Sequence, residues 1–188
     1  MRTTLLRPLV LIVALGAAGL APTAGAEVVR FQIQPDASEL TFKATSWLVN
    51  ANGKFHRFAG EIVADPKDFS TARVAVSVEA ASIDTKIARR DNHLRSADFL
   101  DVEKHPTISF EATQVEPKAR GITGKLTMRG VTREITVPLT VEMSDGVLTA
   151  RGQFVVNRFD YDVSYQSRIN PVGENINIAF VFRARPAN

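Results

Sequence analysis

The chain has 188 residues, 45% of them hydrophobic and none of them cysteine, which excludes disulfides, thiol nucleophiles, cysteine metal sites and haem attachment. Its formal charge of +3 balances 23 basic against 20 acidic residues, and the Lys and Arg are scattered singly, so nothing steers it toward nucleic acid. A chain of this length and apolar content must hold itself together with a sizeable core.

Arg2 and Arg7 precede an apolar run over 9–20, which the small residues Ala24-Gly25-Ala26 close. This is the layout of a secretory signal peptide cleaved after Ala26. The run is too short for a comfortable transmembrane span. Removal of 1–26 leaves 21 basic against 20 acidic residues in 27–188. That remainder is expected to be a single domain in the periplasm, with no stable membrane insertion.

From Glu27 onward the pattern is that of strands. Val29, Phe31 and Ile33 alternate with polar neighbours, and Leu40, Phe42 and Ala44 resume after Pro35-Asp36. Asn52-Gly53 suits a turn, and the change of phase between Phe55 and Phe58 predicts a bulge. Val74, Val76 and Val78 lead into a charged interruption over 81–106, where alternation stops. Asp84 or Thr85 is placed to cap a short helical piece carrying Ile87 and Leu94, and Ser96 or Asp98 a second with Phe99 and Val102. Pro106 returns the chain to an extended path.

Strands resume over 107–115 and 121–128, and Arg129-Gly130 makes a tight reversal. Ile135, Val137, Leu139, Val141 and Met143 form the clearest alternation, with Pro138 on its other face arguing for an edge or a bulge. Asp145-Gly146 is a strong hairpin turn, followed by Leu148, Ala150 and Phe154 with loss of phase near Gly152. Phe159, Tyr161, Val163 and Tyr165 alternate before Asn170-Pro171, and Ile176, Ile178, Phe180 and Phe182 close the chain. The result is all-β: roughly eight antiparallel strands joined by short turns, with one helical insert as an end cover. A barrel removes its own edges and fits this order, although a sandwich satisfies the same alternation.

The insert carries Ser82-Ile83-Asp84-Thr85, Arg90-Asp91-Asn92-His93-Leu94-Arg95-Ser96, Asp98-Phe99 and Pro106-Thr107-Ile108-Ser109-Phe110. With the run 124–132, Arg158-Phe159-Asp160 and 172–176, these resemble the signature stretches of the YceI-like, polyisoprenoid-binding family over nearly all of 27–188. The resemblance implies an exported, lipocalin-like barrel. Its cavity would hold a polyisoprenoid, an isoprenoid quinone or a fatty amphiphile, with no obligatory cofactor and no catalytic mechanism. Homodimers are common in that family. Where its members often show His-Ser and a later His, this chain has Ala37-Ser38 and Ser46.

Phe42, Phe55, Phe58, Ile83, Leu94, Phe99, Phe110, Leu126, Phe159 and Phe180 are the candidate cavity lining, the alternative for each being a place in a filled core. Arg89, Arg90, Asp91, His93 and Arg95 are candidate headgroup or lid contacts. The structural alternative has Asp91 pairing with Arg90 or another arginine and His93 bonded to backbone, pinning the insert. Three functions stay open on the residues: a lipid binder, a small hydrolase or isomerase acting on a lipid, and a structural or interaction barrel with a filled core. No metal site is expected, since His56, His93 and His105 lack ligand spacing.

Overall fold

The alternating stretches are realised as eleven strand segments and one helix in a computed structural model, which describes residues 27–46, 48, 50–116 and 120–187. The leader and its cleavage point lie outside the described residues. The strands are β1 (Val29–Ile33), β2 (Glu39–Ser46), β3 (Ala51–Phe55), β4 (Phe58–Asp65), β5 (Asp68–Glu79) and β6 (Ile83–Asp84). Helix α1 (Ala88–Arg95) follows, then β7 (Thr107–Glu116), β8 (Gly121–Met128), β9 (Val131–Ser144), β10 (Val147–Asn157) and β11 (Val172–Pro186).

All pairings are antiparallel, and the order β1-β4-β5-β7-β8-β9-β10-β11 closes when β11 returns to β1, with Phe31 opposite Pro186 and Ile33 opposite Ala184. This is an eight-stranded barrel. β2 continues the path of β1 along β11, β3 lies on β2, and β6 pairs with β3, so this side of the wall is prolonged beyond the ring. Closure leaves the ring strands no long exposed edge.

Local chemistry explains several junctions. Arg129-Gly130 and Asp145-Gly146 both take positive φ at both residues, 51° and 76° in the first and 51° and 74° in the second. That geometry matches the right-handed twist of the strands each turn joins. β9 pairs with β8 up to Pro138 and with β10 from Leu139 onward. Pro138 therefore stands where the strand changes partners, and the N–H it lacks is not needed by a second neighbour there.

Other expectations are corrected. Asn52 and Gly53 lie within β3, opposite Lys43 and Phe42, so the reversal falls before them. The bulge expected between Phe55 and Phe58 is a break between β3 and β4 at His56-Arg57. Residues 158–168 form no strand: a 3-10 turn (Arg158–Tyr161) leads into irregular chain. The second helical piece is absent, since 96–104 is a run of turns held by the Arg129 guanidinium, which donates to the Ala97 and Phe99 carbonyls.

The densest packing surrounds Phe31, Leu148 and Ala184, each at most 1% exposed, where β1, β10 and β11 meet. A smaller buried group, Leu126, Val156 and Tyr161, lies beside β8 and β10. Between these two regions the barrel is not filled.

Candidate functional site

Inward residues of every ring strand surround a cavity of about 470 Å³, within the range of roughly 300–1,000 Å³ typical of small-molecule sites. Ile33, Ile62, Val76, Ile122, Val137 and Leu148 are among its walls. Phe42, Phe55, Ile83, Leu94, Phe99, Phe110, Leu126 and Phe180 also border it. Two of the candidate lining residues do not. Phe58 is buried in the packed core with its ring 5.5 Å from Phe182, which itself borders the lumen. Phe159 does not border it either, and its ring carries the Arg158 guanidinium, 4.3 Å from the ring centroid.

The lumen stays open because large side chains are laid against the wall. The Phe42 ring occupies the space over Gly53 on the adjacent strand, Phe110 the space over Gly124, and Phe180 the space over Gly152. A Cβ added at any of these glycines would fall 2.5–2.6 Å from the phenylalanine ring. An aromatic seated on a cross-strand glycine gains wall contact and gives up the centre of the barrel.

One end is covered by α1, whose spacing turns Arg90, His93 and Leu94 toward the lumen. Arg89 is exposed and does not border the cavity. Asp91 is buried and accepts from the Thr85 N–H at 2.9 Å and the Thr85 hydroxyl at 2.5 Å, so the helix is tied down by its own first turn. The N-terminus at Ile87 has no side-chain cap, which corrects the expected capping by Asp84 or Thr85. The expected Asp91–Arg90 pair is corrected too: Arg90 Nε and Nη2 donate to the Thr85 hydroxyl and carbonyl oxygens at 2.8 and 3.1 Å. Arg95 faces the wall and donates to the carbonyls of Ala81 and Ile83 at 2.8 and 2.7 Å.

His93 is held by a side chain rather than by backbone, its Nε2 lying 2.9 Å from Asp98 Oδ2. Its ring meets Phe99 at 5.0 Å and Tyr165 at 4.8 Å, both edge-on. Those contacts join α1 to the chain that follows β10. Asp91 is turned to Thr85 and His93 to Asp98, so the two do not form an acid–base dyad. Among the described residues no group of three His, Asp or Glu is placed to hold a metal ion.

The chain from 158 to 172 supplies residues that the sequence reading passed over. Arg158, 3% exposed, borders the cavity and donates to the Val163, Val172 and Gly173 carbonyls. Burial pushes its guanidinium below the usual arginine range, while Glu174 acts in the opposite sense. Tyr165, Ser167 and Asn170 complete this end, and Asn170 reaches β2 through a 3.1 Å bond to Ser46 Oγ. A signal existed: Leu148, Ala150, Phe154 and Val156 set an inward phase on β10, and position 158 continues it.

With this geometry in place, the YceI-like domain model matches residues 31–184. The UPF0312 protein PA0423 of Pseudomonas aeruginosa is 47% identical over 96 residues, covering 49% of this chain and 48% of that one. A UPF0312 protein of Serratia proteamaculans is 45% identical over 94 residues, covering 49% and 47%. The chain thus spans about half the length of these relatives in the match. BcnA of Burkholderia cenocepacia is structurally similar with a TM-score of 0.75 at 21% identity, over 80% of this chain and 98% of that one. A polyisoprenoid binding domain from Saccharophagus degradans gives 0.70 at 14% identity, over 85% and 99%. These likenesses establish a shared barrel.

Proposed function

The chain belongs to the YceI-like domain family, and from that premise we propose that it holds one long-chain isoprenoid or similar amphiphilic lipid in its lumen, to carry or sequester it. Non-catalytic binding of a hydrophobic ligand in a barrel interior is the general function of the family. The observation that carries the reading here is the open apolar cavity beneath α1, with three phenylalanines seated on glycines around its wall. A filled structural barrel has no use for that arrangement.

The physical case is one of area. Each methylene moved from water into such a lumen contributes about 0.8 kcal/mol, so a long chain is bound by its body and needs few polar contacts. The Saccharophagus degradans domain, described as polyisoprenoid binding, supports an isoprenoid or isoprenoid quinone as the occupant. Export to the periplasm, with the leader removed after Ala26, places the protein where such a lipid needs shielding from water. Arg90 and His93 border the cavity and are the headgroup contacts in this reading, with Arg95 and Asp91 holding the cover in place.

Native mass spectrometry of protein purified from its own host, followed by organic extraction, tests this. A mass increment matching one long-chain lipid, recovered in the extract, is the expected result. Repeated recovery of empty protein, together with no binding of polyprenyl, quinone or fatty-amide ligands in solution, would overturn it.

A further inference from the structure

The charged residues bordering the cavity are of one sign. Arg90 and Arg158 are there, with His93, and no aspartate or glutamate joins them among the described residues. Around Arg90, Asp91 is committed to Thr85, Asp84 to His56 and Lys86, and Asp98 to His93, while Asp160 and Asp162 beside Arg158 are exposed and do not border the cavity. Neither arginine has a carboxylate partner among the described residues. Arg90 donates only to Thr85, and Arg158 only to three backbone carbonyls, with Glu174 acting on it through space.

A guanidinium carries five N–H donors and keeps its charge. Three donors of Arg158 and two of Arg90 are engaged, so both retain N–H groups without a partner inside the fold. The two side chains belong to the same end of the barrel. Arg158 pins the chain that carries Val163 and Val172, and Tyr165 in that chain touches His93, one turn from Arg90. Arg158 is removed from water and met by carbonyl dipoles, the face of the Phe159 ring and Glu174 at a distance, with no carboxylate bonded to it, which leaves the site short of negative charge.

We infer that the lumen selects amphiphiles ending in an oxyanion, a carboxylate or a phosphate, which Arg158 and Arg90 meet at the α1 end while the apolar tail fills the barrel. This rests on the proposed lipid-binding reading and narrows it. A quinone carbonyl, an amide or an alcohol offers acceptors but no counter-charge, and an ammonium head is repelled. Charge-assisted bonds from a guanidinium to an oxyanion are about twice as strong as neutral ones.

The test uses the full exported protein, stripped of lipid and refolded, with probes matched in tail. Palmitate is compared with methyl palmitate and hexadecanol, and geranylgeranyl phosphate with geranylgeraniol, by calorimetric titration. In at least one series the anionic member is expected to bind about tenfold or more tighter than its neutral partners. The series that shows the preference identifies the carboxylate or the phosphate as the preferred head. Equal or tighter binding of the neutral members in both series overturns the proposal while leaving lipid binding intact. Binding of none of the probes defeats the reading on which the proposal rests. Arg90→Gln, whose own bonds reach only Thr85, is expected to cut the anionic-over-neutral ratio about threefold or more. A ratio unchanged in R90Q and in a folded Arg158→Gln also overturns it, and if R158Q does not fold, the wild-type comparison decides alone.

Discussion

A Cβ added at Gly53 would stand 2.6 Å from the Phe42 ring and 2.6 Å from the Asp84 carbonyl oxygen, so any side chain there must push the ring off the wall and into the lumen. Gly53→Val is expected to destabilise the protein by about 1–3 kcal/mol, in line with overpacking elsewhere, and to weaken lipid loading as well. Gly146→Ala is the control, because nothing lies within 4 Å of the added atom and only the φ of 74° is unfavourable. It should cost about 1–2 kcal/mol, the penalty of a side chain in the left-handed region, and leave loading unchanged. Chemical denaturation midpoints and lipid recovery on both variants check the pair, and equal effects on loading would refute the seating argument. The sequence suggested a turn at Asn52-Gly53 because glycine signals both turns and close approach, and only the cross-strand register with Phe42 separates the two. Arg158 was missed for a related reason. Its inward phase on β10 was legible, but a cation at an inward position has meaning only once its three carbonyl partners are known.

At the scale of the element, α1 is fastened by polar contacts more than by apolar burial, since Asp91 is the only residue of the helix that is buried. Asp91→Ala leaves the Thr85 N–H and hydroxyl without their acceptor, and such a loss costs about 1–3 kcal/mol when the groups are buried. Amide hydrogen exchange should show faster opening of 85–95 in D91A while the β10–β11 ladder stays protected. Equal loosening of both would contradict a locally fastened cover. Acid should act on the same region through Asp84. The bond to His56, then those to the Lys86 backbone and side chain, hold its carboxyl well below the usual carboxylate range. A folded-state pKa below the unfolded value means that its contribution is complete above the unfolded pKa near 4 and is lost as pH falls toward the folded one. Protection in 83–88, taken relative to intrinsic amide exchange at each pH, should therefore hold steady down to about pH 4 and fall below it, and Asp84→Asn should remove that dependence. The insert's position and its first helical piece were visible in the interruption of strand alternation, whereas the second piece expected there is a run of turns. Its fastening was not, because the Asp91–Thr85 contact crosses a reversal at Lys86, where φ is 66°, that residue type alone does not announce.

For the whole molecule, alternation supplied the strands and their inward faces, while closure came from the register: β11 is long enough to pair with β10 along one side and with both β2 and β1 along the other. Period-two patterning says which residues face in and not how many angstroms remain between them, so a filled and a hollow barrel read alike until the phenylalanines are seen seated on glycines. Energetics separates them. A ligand that binds only the folded state stabilises it by about 2.7 kcal/mol at a hundredfold excess over its Kd, so stripping the lipid should lower the melting temperature of the wild-type protein. Ala44 and Ala150 are buried at the cavity wall, 7% and 8% exposed. Ala44→Phe or Ala150→Phe should shorten the lumen, excluding the longest tails before the shorter ones. In the stripped state the new ring occupies space that was empty, so its packing offsets the usual penalty of about 1–3 kcal/mol for overfilling a core. The variants are thus expected to lose far less stability than the wild type on stripping, with far-ultraviolet circular dichroism unchanged. Thermal melts of loaded and stripped protein, paired with a ladder of tail lengths, check this. A wild-type melt indifferent to stripping, or variants that unfold outright while the tail-length preference of the wild type is flat, would mean that the lumen is not the binding site.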